Sequence, residues 1–355
     1  MAGAAVQRHG GPGMKAAVYT RYGSAEVIEI KDITKPVPAD HEVLIKVHAA
    51  GVNPLDVGLM HGAARVLTGL FKPKYAQPGV DLAGSVEAVG RNVGRFKPGD
   101  EVFGVCVSDP QASGIKVWAR HNGAVAEYVC AAESTLALKP DNVTFEQAAS
   151  APLPAFTALQ GLRDKGQIQP GQRVLIDGAA GGVGTFAVQV AKSFGAEVTG
   201  VCSMRNVEMV RSLGADHVID YTKEDFTSRG QSYDQIFDCV GNHSLSACRR
   251  TLNPKGRLVM AGTMSGRALL AILARLLAAF VWSWMGSQRL ITFLAKPHQQ
   301  DLIVMQDLMK AGKVKPVIDK CYGLSEVPAA IRYVEGKHAR GKVVIIMAQA
   351  APLSQ

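Results

Sequence analysis

No two cysteines in this chain are spaced Cys-x-x-Cys, and no Cys/His cluster has the spacing of zinc ligands. Six cysteines, at positions 106, 130, 202, 239, 248 and 321, are too sparse over 355 residues to staple a disulfide scaffold. Several fall in stretches that read as strands, where a reduced thiol serves as a small core residue. The reducing cytosol is the compartment this usage suits. Residues 1–13 are small, glycine-rich and polar, without the apolar stretch of a signal peptide, and read as a disordered leader. No run of basic residues alternates with aromatics, so the net charge of +9 does not read as a nucleic-acid surface. A basic balance also suits a polyanionic cofactor. Charged residues make up only 19% of the chain and hydrophobic ones 47%, enough for two cores.

The texture changes along the chain. Residues 16–19, 42–49, 80–89, 101–107 and 124–129 read as short strands between Gly, Pro and Asp turns, as in a barrel-like domain. From Thr144, a helix cap, strands alternate with helices. The strand candidates are 174–177, 197–202, 217–219, 235–239 and 257–261, which implies a parallel sheet wound on both faces. In the tail, 299–310 and 327–334 read as helices, 316–319 as extended and 342–347 as a strand. So short a tail has no core of its own and is expected to complete the first domain. The expected division is a leader (1–13), a β-rich domain (14–139), a nucleotide-binding domain (140–295), a return to the first domain (296–348) and a tail (349–355).

The most informative motif is Asp177-Gly178-Ala179-Ala180-Gly181-Gly182-Val183-Gly184, which follows a short apolar run and opens into a helix pattern. Such a turn brings backbone N–H groups and a helix N-terminus up to a pyrophosphate. A side chain at Gly181 would block the phosphate, and one at Gly184 would hold the helix off the strand. The second strand then ends in Cys202-Ser203-Met204-Arg205-Asn206. A chain that prefers NAD places a carboxylate there for the ribose hydroxyls. Here a hydroxyl, a guanidinium and an amide stand instead, and Arg grips a phosphate through two parallel hydrogen bonds. The pattern predicts NADPH, with the alternative that Arg205 is a solvated residue at a helix start.

The ordered set of stretches 50–56, 78–84, 151–158, 178–184, 203–206, 214–221, 238–241, 315–319 and 341–344 resembles the medium-chain dehydrogenase/reductase superfamily, in its zinc-free quinone oxidoreductase branch. It is similar to chloroplast-envelope quinone oxidoreductase homologues and the mitochondrial reticulon-interacting group. The resemblance implies an α/β fold: a GroES-like β-rich catalytic domain beside a Rossmann doubly wound parallel sheet. Zinc members hold their metal with a Cys and a Gly-His-Glu. The matching places here read Asn53-Pro54-Leu55-Asp56 and Gly79-Val80-Asp81, so no metal site is expected.

What the resemblance implies for individual residues is a pyrophosphate on backbone groups of Gly181, Gly182 and Val183, with Ala180 and Gly184 also at the cofactor. The 2′-phosphate falls to Ser203 and Arg205, with Asn206 and Tyr221. Thr157 is placed near the nicotinamide, Val240, Gly241, Gly262 and Thr263 at strand ends facing the cofactor, and Lys342 as a late basic residue facing it. Without a Lewis acid, hydride passes to an acceptor that is already electrophilic, a quinone or an α,β-unsaturated carbonyl. Asn53 is the catalytic candidate, through an amide that could donate to a carbonyl oxygen; an Asx turn before Pro54 is its competing reading. Asp56 and His61 are weaker candidates. Two further readings stay open: an NADPH-binding, membrane-associated structural protein, and an alcohol dehydrogenase with atypical metal ligands.

Residues 267–285 form a nearly uninterrupted apolar segment with Arg275 in its middle. Leu269, Leu273, Leu276, Phe280 and Trp284 share one helical face. Three readings compete: a buried helix or lid over the acceptor pocket, a subunit contact, and shallow membrane contact with Arg267, Arg275 and Arg289 on lipid phosphates. Residues 289–294 read as an edge strand that related folds pair across a dimer axis, so a homodimer is expected.

Overall fold

The computed structural model describes residues 13–74, 76–107, 110–112, 114–119, 121–261 and 287–347. The expectations for residues 1–12, for Gly262 and Thr263, for segment 267–285 and for the tail 349–355 lie outside them.

Val- and Ile-rich alternation builds the first half as strands. β1 (Gly13–Tyr19) and β2 (Ile28–Thr34) form an antiparallel pair that already includes Gly13. β3 (Glu42–Val52), β4 (Asp81–Val89), β5 (Glu101–Val105), β6 (Tyr128–Ala132) and β7 (Leu136–Leu138) follow. Helices α1 (Pro54–Met60), α2 (Arg65–Thr68) and α3 (Ile115–Ala119) occupy their connections. α4 (Phe145–Ala149), capped by Thr144, and α5 (Pro152–Leu159) lead into a π-helical stretch, Gln160–Lys165.

The second half alternates: β8 (Arg173–Asp177), α6 (Gly182–Ser193), β9 (Glu197–Cys202), α7 (Val207–Ser212), β10 (His217–Asp220), β11 (Tyr233–Asp238), α8 (Leu245–Arg250), β12 (Leu252–Ala261) and β13 (Arg289–Phe293). These strands make one six-stranded sheet in the order β10-β9-β8-β11-β12-β13, parallel throughout. The order reverses between β8 and β11, and ligands of open α/β sheets bind at that switch, beyond the strand C-termini.

The tail adds α9 (Gln299–Lys310), β14 (Ile318–Gly323), α10 (Val327–Glu335) and β15 (Lys342–Ile346). β15 pairs antiparallel with β3, Val343 opposite Val52, inside a seven-stranded sheet. Val343 and Ile345 share an apolar cluster with Val43, Ile45 and Val47, which is where the tail finds its core. Cys106, Cys130, Cys202 and Cys248 are buried as small core residues.

Two strand expectations shift. Residues 124–126 are tied by single bonds rather than a ladder, Ala17 N–H to Val125 O and Val125 N–H to Pro78 O, and the strand proper is Tyr128–Ala132. The extended stretch at 316–319 belongs to β14, which runs on to Gly323 because β15 pairs with it.

Candidate active site

The chain leaves β8 at Asp177, turns at Gly178, whose φ is +83°, and enters α6 with Gly181 at the N-cap. A Cβ on Gly184 would lie 2.1 Å from Gly178 O and 2.8 Å from Ala179 Cα, so only glycine seats the helix this close to the strand. A Cβ on Gly181 would meet no protein atom nearer than Gly178 O, at 3.4 Å, an ordinary van der Waals contact. The Gly181 N–H is already given to Gly178 O at 3.0 Å. The first-turn N–H groups of α6, Val183 among them, are those a helix tip would present to an anion, while Gly182 lies against Gly341 O at the Gly181–Gly341 bridge. The buried Ala180 accepts at its carbonyl from Gly341 N–H (2.9 Å), tying the turn to the segment before β15.

Ser203 follows β9, and Asn206 Nδ2 donates to its Oγ at 3.1 Å. Arg205 lies on the short turn between them and donates to His338 O at 3.0 Å. Tyr221 N–H donates to Cys202 O (3.0 Å), which stands the tyrosine, 61% exposed, next to Ser203. Across the sheet edge, Asp238 Oδ1 accepts from the N–H groups of Val240 and Gly241 at 2.9 and 2.6 Å. The exposed Val240 side chain leans over Gly178. The fold thus collects Gly182, Val183, Ser203, Arg205, Asn206, Tyr221, Val240 and Gly241 at one sheet edge, and its glycine cradle and basic end fit a phosphorylated dinucleotide. Thr157, half-buried on α5, gives its hydroxyl to Leu153 O in its own helix (2.9 Å).

The second part of the site is a buried polar cluster where β3, β4 and β15 meet α1 and α5. Asn53 caps α1 in extended conformation, without a side-chain cap hydrogen bond. Its Nδ2 instead donates to Asp81 Oδ2 at 2.9 Å. Lys342 Nζ donates to Asn53 Oδ1 (2.5 Å) and Val52 O (3.1 Å) and lies 3.4 Å from Asp81 Oδ2. Leu153 N–H donates to Asp81 Oδ1 (2.8 Å). Asp56, at the third position of α1, accepts from Asn53 N–H (2.7 Å) and Gly79 N–H (3.1 Å). Asn53, Asp56, Asp81 and Lys342 are all buried. The Lys342 stem passes beneath the glycine turn, where a Cβ on Gly182 would meet its Cδ at 3.1 Å. His61 lies apart: it ends α1 and bonds Glu335 on α10 at 2.8 Å.

Burial dominates the electrostatics of the cluster. It pushes Asp81 up and Lys342 down from their ordinary values, while their mutual attraction opposes both shifts. Burial, joined by repulsion from Asp81, lifts Asp56 to about 7, against the pull of its two backbone donors and Lys342. The folded protein therefore keeps the Asp56 proton where the unfolded chain has lost it. Its contribution to stability is full at low pH and drains away as pH rises from about 4 through about 7. Thermal melts across that window should show wild type losing stability with pH more steeply than Asp56→Asn. Parallel profiles would refute the shift.

Sequence reasoning named Asp81 only as a missing zinc ligand. Its signal was a carboxylate opening the otherwise apolar run from Val80. His243 was also missed: its ring lies against Phe226, with Nδ1 3.5 Å from Asp177 and Nε2 3.4 Å from Asp225, linking three loops at the sheet edge. Among the described residues, no group of three or more His, Cys, Asp and Glu side chains is gathered as a metal would require.

Comparison with known proteins agrees with this geometry. The pattern of the alcohol dehydrogenase GroES-like domain matches residues 39–141, and that of the zinc-binding dehydrogenase matches residues 213–345. The chain is 35% identical over 338 residues to an NADPH-dependent alkenal/one oxidoreductase of Arabidopsis thaliana, covering 94% of this chain and 79% of that protein. It is 33% identical over 344 residues to a human quinone oxidoreductase, covering 94% and 98%. A quinone oxidoreductase structure from Coxiella burnetii superposes with a TM-score of 0.81 at 30% identity, over 95% of this chain and all of that one. With its β-rich sheet, its parallel nucleotide-binding sheet and a glycine turn over a buried Asn–Asp–Lys cluster, the chain belongs to the medium-chain dehydrogenase/reductase superfamily, in the quinone oxidoreductase branch.

Proposed function

We propose that the protein is an NADPH-dependent oxidoreductase that reduces a quinone or an α,β-unsaturated carbonyl. The observation that carries this reading is the direct join between the glycine turn and the buried cluster, through Ala180 and Gly341 and the Lys342 stem under Gly182. The cofactor supplies the hydride; the chain supplies position and charge. The first-turn N–H groups of α6, Val183 among them, take the pyrophosphate, and Ala180, Gly181 and Gly184 leave it room. Ser203 and Arg205 take the 2′-phosphate, with Asn206 and Tyr221 beside them. Val240 and Gly241 wall the adenosine side, and Thr157 faces the nicotinamide.

Asn53 is the oxyanion donor in this reading. An amide nitrogen carries two N–H bonds, and Asp81 takes one, so the second is left for an acceptor carbonyl. Asp81 and Lys342 are positioning residues: one fixes the Nδ2 and the other the Oδ1 of Asn53. The carboxylates at the places of the zinc ligands are already engaged by N–H groups and Lys342, a donor set unlike a tetrahedral zinc site. That disfavours the metal-dependent alcohol dehydrogenase reading.

Titration calorimetry tests the cofactor assignment. Arg205→Ala should weaken NADPH by about 1–3 kcal/mol, the range of a charge-assisted hydrogen bond, and leave NADH unchanged. Equal losses for the two nucleotides would remove Arg205 from the 2′-phosphate. NADPH consumption with a soluble quinone and with an enone tests the reaction itself.

Finer features belong to the same proposal. We divide the chain into a catalytic part (14–139 and 296–348) and a nucleotide-binding part (140–295), a division supported by the two sheets. A homodimer is supported by β13, which ends its sheet with one edge unpaired by any described strand. A cytoplasmic setting with peripheral membrane contact through 267–285 is supported by the apolar face and arginines of that segment in the sequence. Among the described residues no helix is long and apolar enough to cross a membrane.

A further inference from the structure

Just beyond α1, residues 65–74 turn three apolar side chains outward. Val66 is 87% exposed, Leu70 60% and Phe71 92%. Single exposed apolar residues are ordinary, but two neighbours at a loop tip with a third one turn earlier form a patch. The loop is held firmly at its base. Lys74 N–H donates to Thr68 O at 2.6 Å, and the Tyr22 hydroxyl bonds Thr68 Oγ1 and Gly69 O, each at 2.7 Å. Gly69 holds φ +122°, where a Cβ would strike Lys72 O at 2.0 Å. The backbone therefore offers Leu70 and Phe71 to solvent as a formed wedge.

The charged side chains of the loop itself have one sign. Arg65, Lys72 and Lys74 are exposed beside it, and α3, packed on α2, adds the exposed Lys116. From position 61 to position 80 the sequence holds no Asp or Glu. No carboxylate among the described residues pairs with Lys72 or Lys74 within salt-bridge distance.

We propose that loop 65–74 docks the protein on an anionic phospholipid surface. Val66, Leu70 and Phe71 enter the boundary between headgroups and acyl chains, and the four cations meet lipid phosphates. Apolar tips ringed by cations match a bilayer face, which is apolar beneath an anionic layer. The inference rests on the membrane contact put forward above, but it does not need residues 267–285. Its consequence is functional: the loop follows α1, whose N-cap is Asn53, by one short turn, so docking sets the Asn53-bearing helix near the phase in which lipid-soluble acceptors reside.

Co-sedimentation of the full chain with vesicles tests the proposal, using phosphatidylcholine alone or mixed with phosphatidylserine. Wild type should pellet with the mixed vesicles and be released by salt. Leu70→Ser/Phe71→Ser should lower its partition by about tenfold or more, the worth of one large apolar side chain. Lys72→Glu/Lys74→Glu, on the solvated surface, should do the same without changing the melting temperature. Trp284→Ala separates the two membrane elements. Binding that survives both loop variants and is lost with Trp284→Ala overturns the loop and leaves the 267–285 contact standing. Absence of wild-type binding to either vesicle overturns both. Concentration-dependent self-association abolished by Leu70→Ser/Phe71→Ser, without vesicle binding, would assign the face to a second copy and also overturn the proposal.

Discussion

Asp81→Ala should destabilise the fold by about 3–5 kcal/mol, the cost of leaving a buried charge without its partner. The change strips an acceptor from Asn53 Nδ2 and from Leu153 N–H, and leaves the Lys342 ammonium in the interior with only Val52 O and Asn53 Oδ1. Lys342→Met should cost a similar amount, because the Asp81 carboxylate then keeps only its amide donors. The double variant Asp81→Leu/Lys342→Met should lose much less than the sum of the singles, since no charge is stranded in it. Urea unfolding of the cofactor-free protein measures all three. If each single change costs under about 1 kcal/mol, in the range of a solvated surface pair, the cluster is not the sealed unit described. Asp81→Asn should retain more stability than Asp81→Ala but misdirect Asn53, so kcat should fall while NADPH affinity holds. A purely structural Asp81 would not produce that split.

The second large effect separates two glycines three residues apart. Gly181→Val should leave stability close to wild type and lower NADPH affinity by at least about 100-fold, about 3 kcal/mol. The N-cap has φ −82° and ψ 175°, open to any residue, and a Cβ there approaches only Gly178 O at 3.4 Å. The added side chain therefore stands in the phosphate space, not in the core. Gly184→Ala should lose both properties. Its Cβ would sit 2.1 Å from a backbone oxygen, so α6 must lift away from β8, and overpacking of this kind costs about 1–3 kcal/mol. Melting temperatures and nucleotide titrations of the two variants form the test. A destabilised Gly181→Val that still binds NADPH would reverse the assignment.

The strand–glycine turn–helix unit was legible because its parts are short-range. A β-turn-α unit keeps Gly178 through Gly184 contiguous, and strand ends such as Ser203 and Tyr221 follow from the alternation of apolar runs and helices. That alternation implied a parallel sheet wound on both faces, while the place of the order reversal, between β8 and β11, came from the structure. The same local logic placed the Thr144 cap and α9, and foresaw that the tail must seek its core elsewhere. The catalytic half was less legible. Asn53, Asp81 and Lys342 are far apart in the chain, and each taken alone has a plain reading as a turn residue, a strand opener or a solvated lysine. Arg205 shows the same limit on a smaller scale: nothing local foretells its bond to His338 O, which the return of the tail supplies.

By itself, then, the sequence determined the two-part α/β architecture, the glycine turn, the preference for a ribose bearing a 2′-phosphate and the lack of Cys and His at the places of the zinc ligands, because periodicity, turn chemistry and donor type act within a few residues. Only the tertiary structure decided what Asn53 bonds, by pairing β15 with β3 and bringing a buried ammonium and a buried carboxylate to its two amide atoms. It alone also turned Leu70 and Phe71 outward, since exposure depends on which apolar residues the packed core has room to accept.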